Sequence, residues 1–249
     1  MPVGFLIVYS EPGELVTLEE FQDWYNNEHV PLRMKHLQSF LAGARYFALD
    51  SQIPSWVALY DVDDTATFSH NSYVRLRANR SPREANLVKR LSILDRQTCE
   101  LVMDSGASIL TTSLASKNPS RGIITHGLGM HEEESREWLG KAVELLKNSQ
   151  GWARTRLFKC IDNLKTGVSV PSGPEVQIVP VFFVVHEFTT SEMHRILPLL
   201  QTYFRSLLIT PLSELRKWGL YRLILELRRG ISRTLVAHAN IGYDLCVIS

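Results

Sequence analysis

From Val3 to Tyr9 the chain is almost wholly apolar, branched or aromatic, and the run stops at Glu11-Pro12-Gly13. A short run of this kind, bounded by a turn, predicts a buried strand. The period then changes. Leu18, Phe21, Trp24 and Tyr25 recur at helical spacing behind a capping box, Thr17-Leu-Glu-Glu20, whose hydroxyl and carboxylate satisfy free N–H groups. Pro31 is expected to end or kink this helix, because the residue before a proline avoids the helical region. Strands are expected over residues 41–49 and 56–62, with a turn containing Asp50, Ser51 and Pro54 between them. Asp63-Asp64-Thr65 caps a second helical region that runs to about Leu91 and is interrupted near Ser81-Pro82, and a fourth strand covers 97–103.

Residues 105–121 are rich in Ser, Gly, Thr and Ala and carry Asn118-Pro119, the composition of a linker. Beyond them the pattern recurs. Strands are expected over 122–129, 152–161, 177–188 and 221–227, and helices over 132–147, 191–208 and 211–220. Side chains recur in the same order. "SFLAGARYFALD" (39–50) lies over "GWARTRLFKCID" (151–162), Tyr60-Asp61 over His186-Glu187, Ser81-Pro82 over Thr210-Pro211, and Trp24 over Trp138. Ordered matches of this kind indicate an internal duplication. Each βαββαβ unit makes a four-stranded antiparallel sheet with its helices on one face, leaving an apolar face to be covered. The expected fold class is therefore α+β, with two tandem ferredoxin-like units, 1–104 and 122–229, whose sheets pair into an intramolecular α/β barrel. Residues 230–249 have no counterpart in the first unit.

Composition narrows the function. With 27 basic against 26 acidic residues and a net charge of +1, the 249-residue chain lacks the basic excess that nucleic acid or an acidic membrane surface would select. Three scattered cysteines form neither a CxxC pair nor a disulfide framework, which favours a reducing compartment. The N-terminus has no basic residues ahead of its apolar run, and no apolar stretch is long enough for a membrane span, so a cytoplasmic protein is expected. There is no GxSxG, P-loop or HExxH. Gly127-Leu-Gly129 is only half of a dinucleotide fingerprint. His126 and the His131-Glu132 pair are read as ordinary strand-end and helix-start residues, so no metal is expected.

The stretch "FQDWYNNEHVPLRMKHLQSFLAGARYFAL" resembles EthD-like members of the dimeric α/β-barrel superfamily, in which a helix ending Trp-Tyr-x-x-Glu-His-x-Pro precedes a strand with Arg and an aromatic. Trp24, Tyr25, Glu28, His29, Pro31, Phe40, Arg45 and Tyr46 carry the likeness here, and "LRANRSPRE" (76–84) adds to it. The resemblance implies a cofactor-independent enzyme holding an apolar, oxygenated polyketide or terpenoid between helices and sheet. It also implies a proton-transfer reaction of the lyase or isomerase class: cyclisation, decarboxylation or isomerisation. The alternatives are a carrier for a hydrophobic metabolite and a cofactor-free monooxygenase of an activated phenol. The expected partner is a hydrophobic small molecule, bound by a monomer with an internal pseudo-dimer or by a homodimer.

Within that frame His29 is the candidate acid or base, since an imidazole titrates near neutral pH. Tyr25 and Tyr60 are candidates to polarise substrate oxygens. Trp24, Glu28, Arg45, Tyr46, His70 and His186 are candidate binding residues, Arg45 because a guanidinium suits planar oxyanions. Arg33 and the arginines of "RLRANRSPRE" are read as surface charge. In the second unit the Glu-His pair is replaced by Ala142-Val143, so a single working pocket is expected, within 1–104.

Overall fold

Eight strands form a closed antiparallel barrel in the computed structural model, which describes residues 2–49, 51–108, 110–111, 113–115, 119–190 and 219–224, the last stretch as backbone. They are β1 (Gly4–Glu11), β2 (Phe40–Ala48), β3 (Trp56–Val62), β4 (Ile93–Asp104), β5 (Gly122–Leu128), β6 (Trp152–Thr166), β7 (Phe182–Phe188) and β8 (Gly219–Ile224). Around the ring they run β1-β3-β2-β8-β5-β7-β6-β4. The quartet β4-β1-β3-β2 is thus followed by β8-β5-β7-β6. In each, the fourth strand lies beside the first, then come the third and the second. The quartets join edge to edge, β2 on β8 and β4 on β6, and closure leaves no unpaired strand edge.

Alternation along the strands separates two environments. Phe5, Ile7, Leu59, Phe158, Phe183 and Val185 fill the barrel interior, where Phe5 of the first quartet stacks on Phe158 of the second at 4.0 Å between centroids. Leu6, Val8, Ala58 and Tyr60, one place along, face the helices instead and pack with Phe21, Trp24 and Tyr25. His186 takes the same outward face in the second half, beside Trp138. Both matched positions therefore look toward helices. A buried ion triad ties the halves together inside the barrel: Arg156 Nη1 lies 2.5 Å from Asp61 Oδ1, and its Nη2 lies 2.8 Å from Glu187 Oε1. Ser120 Oγ donates to Glu187 Oε2 at 3.0 Å, and Ser113 Oγ to the same oxygen.

The first helical region differs from expectation at Pro31. Thr17 caps α1 (Leu18–Trp24), accepting from the Glu20 N–H at 3.1 Å. The chain then runs through a π-turn, Tyr25–His29, into α2 (Val30–His36). Proline has no N–H to donate and crowds the preceding turn. Here the helix widens instead of stopping, with the Val30 N–H reaching the Tyr25 carbonyl five residues back. The remaining helices are α3 (Asn71–Ala78), capped by His70, α4 (Pro82–Arg90), capped by Ser81, and α5 (Glu132–Leu146). Strand β6 runs five residues beyond its expected end at 161, and β7 begins at Phe182, not at 177. The helix expected over 191–208 and all but the last two residues of the one expected over 211–220 lie outside the described residues, as do 230–249. Gly219 and Leu220 belong to β8 rather than to a helix. Among the described residues no helix is long and apolar enough to cross a membrane.

Candidate functional site

The π-turn places His29 in the lining of a cleft of about 410 Å³ between the sheet and helices α3 and α4. That volume lies within the range of small-molecule sites. Leu6 and Val8 of β1, Leu94 of β4 and Val88 of α4 give it an apolar wall. Leu164, Thr166, Gly167 and Val168 also line it. These four residues belong to the overlong end of β6 and the turn after it, where Thr166 pairs with Leu94 and Leu164 with Arg96. The cleft is therefore not confined to residues 1–104, because the second half of the chain supplies a wall.

His29 is buried, and its Nδ1 lies 2.8 Å from Oε1 of Glu84, itself only 3% exposed. Glu84 stands in the first turn of α4, where Ser81 Oγ accepts its backbone N–H at 3.0 Å. Its carboxylate turns inward to the imidazole. Burial first, then the charges of Arg33, Arg45 and Arg80, hold His29 well below the usual histidine range. Burial raises the Glu84 carboxyl, against the lowering effect of Arg33 and Arg80. A neutral imidazole with Nδ1–H directed at the carboxylate leaves a lone pair on Nε2. Among the described residues nothing hydrogen-bonds that nitrogen. The ring is held between Trp24, 4.4 Å away, and Tyr25, 5.0 Å away. Arg33 is buried rather than superficial: its Nη1 donates to the His29 carbonyl at 2.9 Å, and it lines the cleft.

The other candidates fall into distinct places. Trp24 and Tyr25 are core residues, and among the described residues Trp24 Nε1 has no hydrogen-bond partner. Burial pushes the Tyr25 phenol up. Tyr60 packs edge-on against Phe40, its hydroxyl without a hydrogen-bond partner among the described residues and its phenol raised by burial. Neither tyrosine lines the cleft. Arg45 sits over the Tyr25 ring at 4.0 Å and donates to Asn26 Oδ1 and Gln22 Oε1, both at 2.7 Å, so it braces α1. Glu28 accepts from Ser81 Oγ and lies 3.9 Å from Arg83, tying the π-turn to the start of α4. Tyr46 points into the barrel and donates to the Ser120 carbonyl at 3.2 Å. His70 is an exposed N-cap, its Nδ1 accepting from the Ser72 N–H at 3.3 Å.

His186 belongs to a separate buried cluster, with Nε2 3.1 Å from His126 Nε2 and Nδ1 2.9 Å from Thr155 Oγ1. Burial lowers its pKa to about 3. Among the described residues no group of three or more His, Cys, Asp or Glu is placed to hold a metal ion. Glu84 is the residue that sequence reasoning passed over. The signal was present: Ser81-Pro-Arg-Glu84 is a capping-box spelling that predicts a helix start, but not the partner its carboxylate finds.

No protein-family model matches the sequence, and no curated protein matches it. Solved structures do. An anthrone oxidase-like protein superposes with a TM-score of 0.59 at 8% identity, over 90% of this chain and 91% of that one. The heme-degrading enzyme LmHde from Listeria monocytogenes aligns at a TM-score of 0.41 and 9% identity, over 88% of this chain and 98% of that one. At these identities the likeness is one of fold, that of the dimeric α/β barrels, here with both halves in one chain.

Proposed function

We propose that this chain is a cofactor-independent enzyme that takes a proton from an apolar, weakly acidic phenol or enol and lets O₂ oxidise the resulting anion. The observation that carries the reading is the His29–Glu84 pair, whose free Nε2 belongs to a cleft lined by both apolar and cationic side chains. Glu84 fixes the tautomer and steadies the imidazolium that forms when Nε2 accepts the proton. Arg33 adds positive charge beside the developing anion. For a ring methylene activated by a neighbouring carbonyl, the balance is R₂CH₂ + O₂ → R₂C=O + H₂O. His29 removes one hydrogen as a proton, the carbanion adds O₂, and loss of the second hydrogen with water leaves the ketone.

Two further lines support this reading. The helix motif from Trp24 to Pro31 resembles EthD-like proteins, and the barrel is shared with an anthrone oxidase-like protein. The test is oxygen uptake with anthrone as probe, comparing the wild-type chain with His29→Gln. Uptake above the buffer rate that is lost in the variant supports the proposal. Substrate loss without oxygen uptake would instead favour cyclisation, decarboxylation or isomerisation by the same base. Binding without turnover would favour a carrier.

A further inference from the structure

The cleft lining is crowded with positive charge as well as apolar side chains. Arg77, Arg80, Lys89 and Arg96 all belong to it. Two of these charges act directly on a third. Arg77 feels both Arg96 and Arg80, and only Asp162 opposes that repulsion from the carboxylate side. Asp162 is itself engaged, 2.6 Å from Arg96 Nη2. Among the described residues neither Arg77, Arg80 nor Lys89 is in contact with a carboxylate; Arg80 feels Glu84 only at longer range, and Arg77 lies over the face of Tyr73 at 5.8 Å. Arg96 Nε is buried without a hydrogen-bond partner.

Clustered guanidiniums repel, and an orphaned buried N–H costs stability, so the arrangement is incomplete without an anion. Apolar surface is left over in the same place. Leu164 is 43% and Val168 55% exposed on the cleft's rim, where water rather than protein covers them.

We propose that the ligand of this cleft is an aromatic molecule bearing an oxyanion, a carboxylate or a phosphate ester. The anion is held by Arg77, Arg80 and Arg96, while the ring lies along Val8, Leu94 and Leu164 toward His29. This rests on the reading of the cleft as the substrate site and adds the class of substrate. Guanidinium groups suit both anions, because each presents paired oxygens to a planar fork.

The test is direct binding, by calorimetry, of 2-naphthoate, 2-naphthyl phosphate and the uncharged 2-naphthamide to the full chain. At least one anion should bind roughly tenfold or more tightly than the amide, as expected for charge-assisted hydrogen bonds. Whichever of the two binds more tightly identifies the anion. The gap should shrink when salt is raised from about 0.02 M to about 0.5 M. Arg80→Gln and Arg77→Gln should each remove most of it, weakening the anions far more than the amide. Both positions lie outside the core, so folding is not at stake. The proposal is overturned if the amide binds as tightly as both anions, or if the variants weaken all three probes alike. Oxygen uptake is not the readout, which keeps the two readings separable. A charge gap with inert anthrone leaves the subsite standing without the oxidase. Uptake that depends on His29, with no charge gap, leaves the reverse.

Discussion

His29 and Glu84, 55 residues apart in sequence, meet at 2.8 Å between Nδ1 and Oε1 in a buried contact that joins the π-turn to the first turn of α4. Such a carboxylate does two things for a neutral imidazole: it fixes which nitrogen bears the proton, and it stabilises the cation formed when the other accepts one. Glu84→Gln keeps an acceptor for Nδ1–H but loses the charge. The variant should therefore oxidise anthrone about 10²-fold more slowly than wild type, the lower range for general-base assistance. Oxygen uptake near neutral pH checks this.

Three buried histidines predict how stability follows pH. Burial holds His29 and His126 well below their ordinary value and takes His186 to about 3. Each binds fewer protons in the folded chain than in the unfolded one. Their contribution is therefore complete above the unfolded value of about 6.5 and is lost as pH falls toward the folded one. The slope for His186 is at most about 1.4 kcal/mol per pH unit. Urea midpoints should fall between about pH 7 and about pH 5, with a shallower fall in His186→Gln.

The triad inside the barrel predicts a large stability effect at a residue outside the cleft. Arg156 bridges Asp61 of β3 and Glu187 of β7, the pair aligned by the internal repeat. Arg156→Met leaves Glu187, fully buried, without its cation. The expected cost is about 3–5 kcal/mol, the range for breaking one side of a buried ion pair. Urea denaturation measures it, and an unchanged midpoint would mean that the seam does not depend on this contact.

Tyr60 offers a test of a different kind. Among the described residues its buried hydroxyl has no partner, and it lies off the cleft lining. Tyr60→Phe should therefore keep or slightly raise stability and leave oxygen uptake near the wild-type rate. A loss of tenfold or more would return this phenol to the chemistry.

Much of the fold is legible in the sequence, because it rests on local patterns and one burial argument. The apolar run of β3 ends where its pattern does, the Thr17 cap forms as spelled, the second helical region breaks at Ser81-Pro82, and two bare sheet faces in one chain close into a barrel. What escapes is long-range. Nothing near Glu84 announces His29, and nothing in 161–168 announces that β6 extends to wall the cleft. Pro31 shows the limit of a local rule: its missing N–H forbids an α-helical bond, yet a wider turn accommodates it, and burial of Tyr25 and His29 accompanies that turn. Arg33 looks superficial in sequence because its four-residue spacing from His29 is visible but the side chain's inward path is not.

The central claim is that His29 Nε2 removes a proton from the bound substrate, and exchange isolates that step from oxidation. In D₂O under argon, deuterium entry into the anthrone methylene can be followed by NMR with wild-type chain, Glu84→Gln and His29→Gln. Wild type should accelerate exchange over buffer, Glu84→Gln much less, and His29→Gln not at all. Equal exchange by wild type and His29→Gln, or none above buffer by either, would contradict the account.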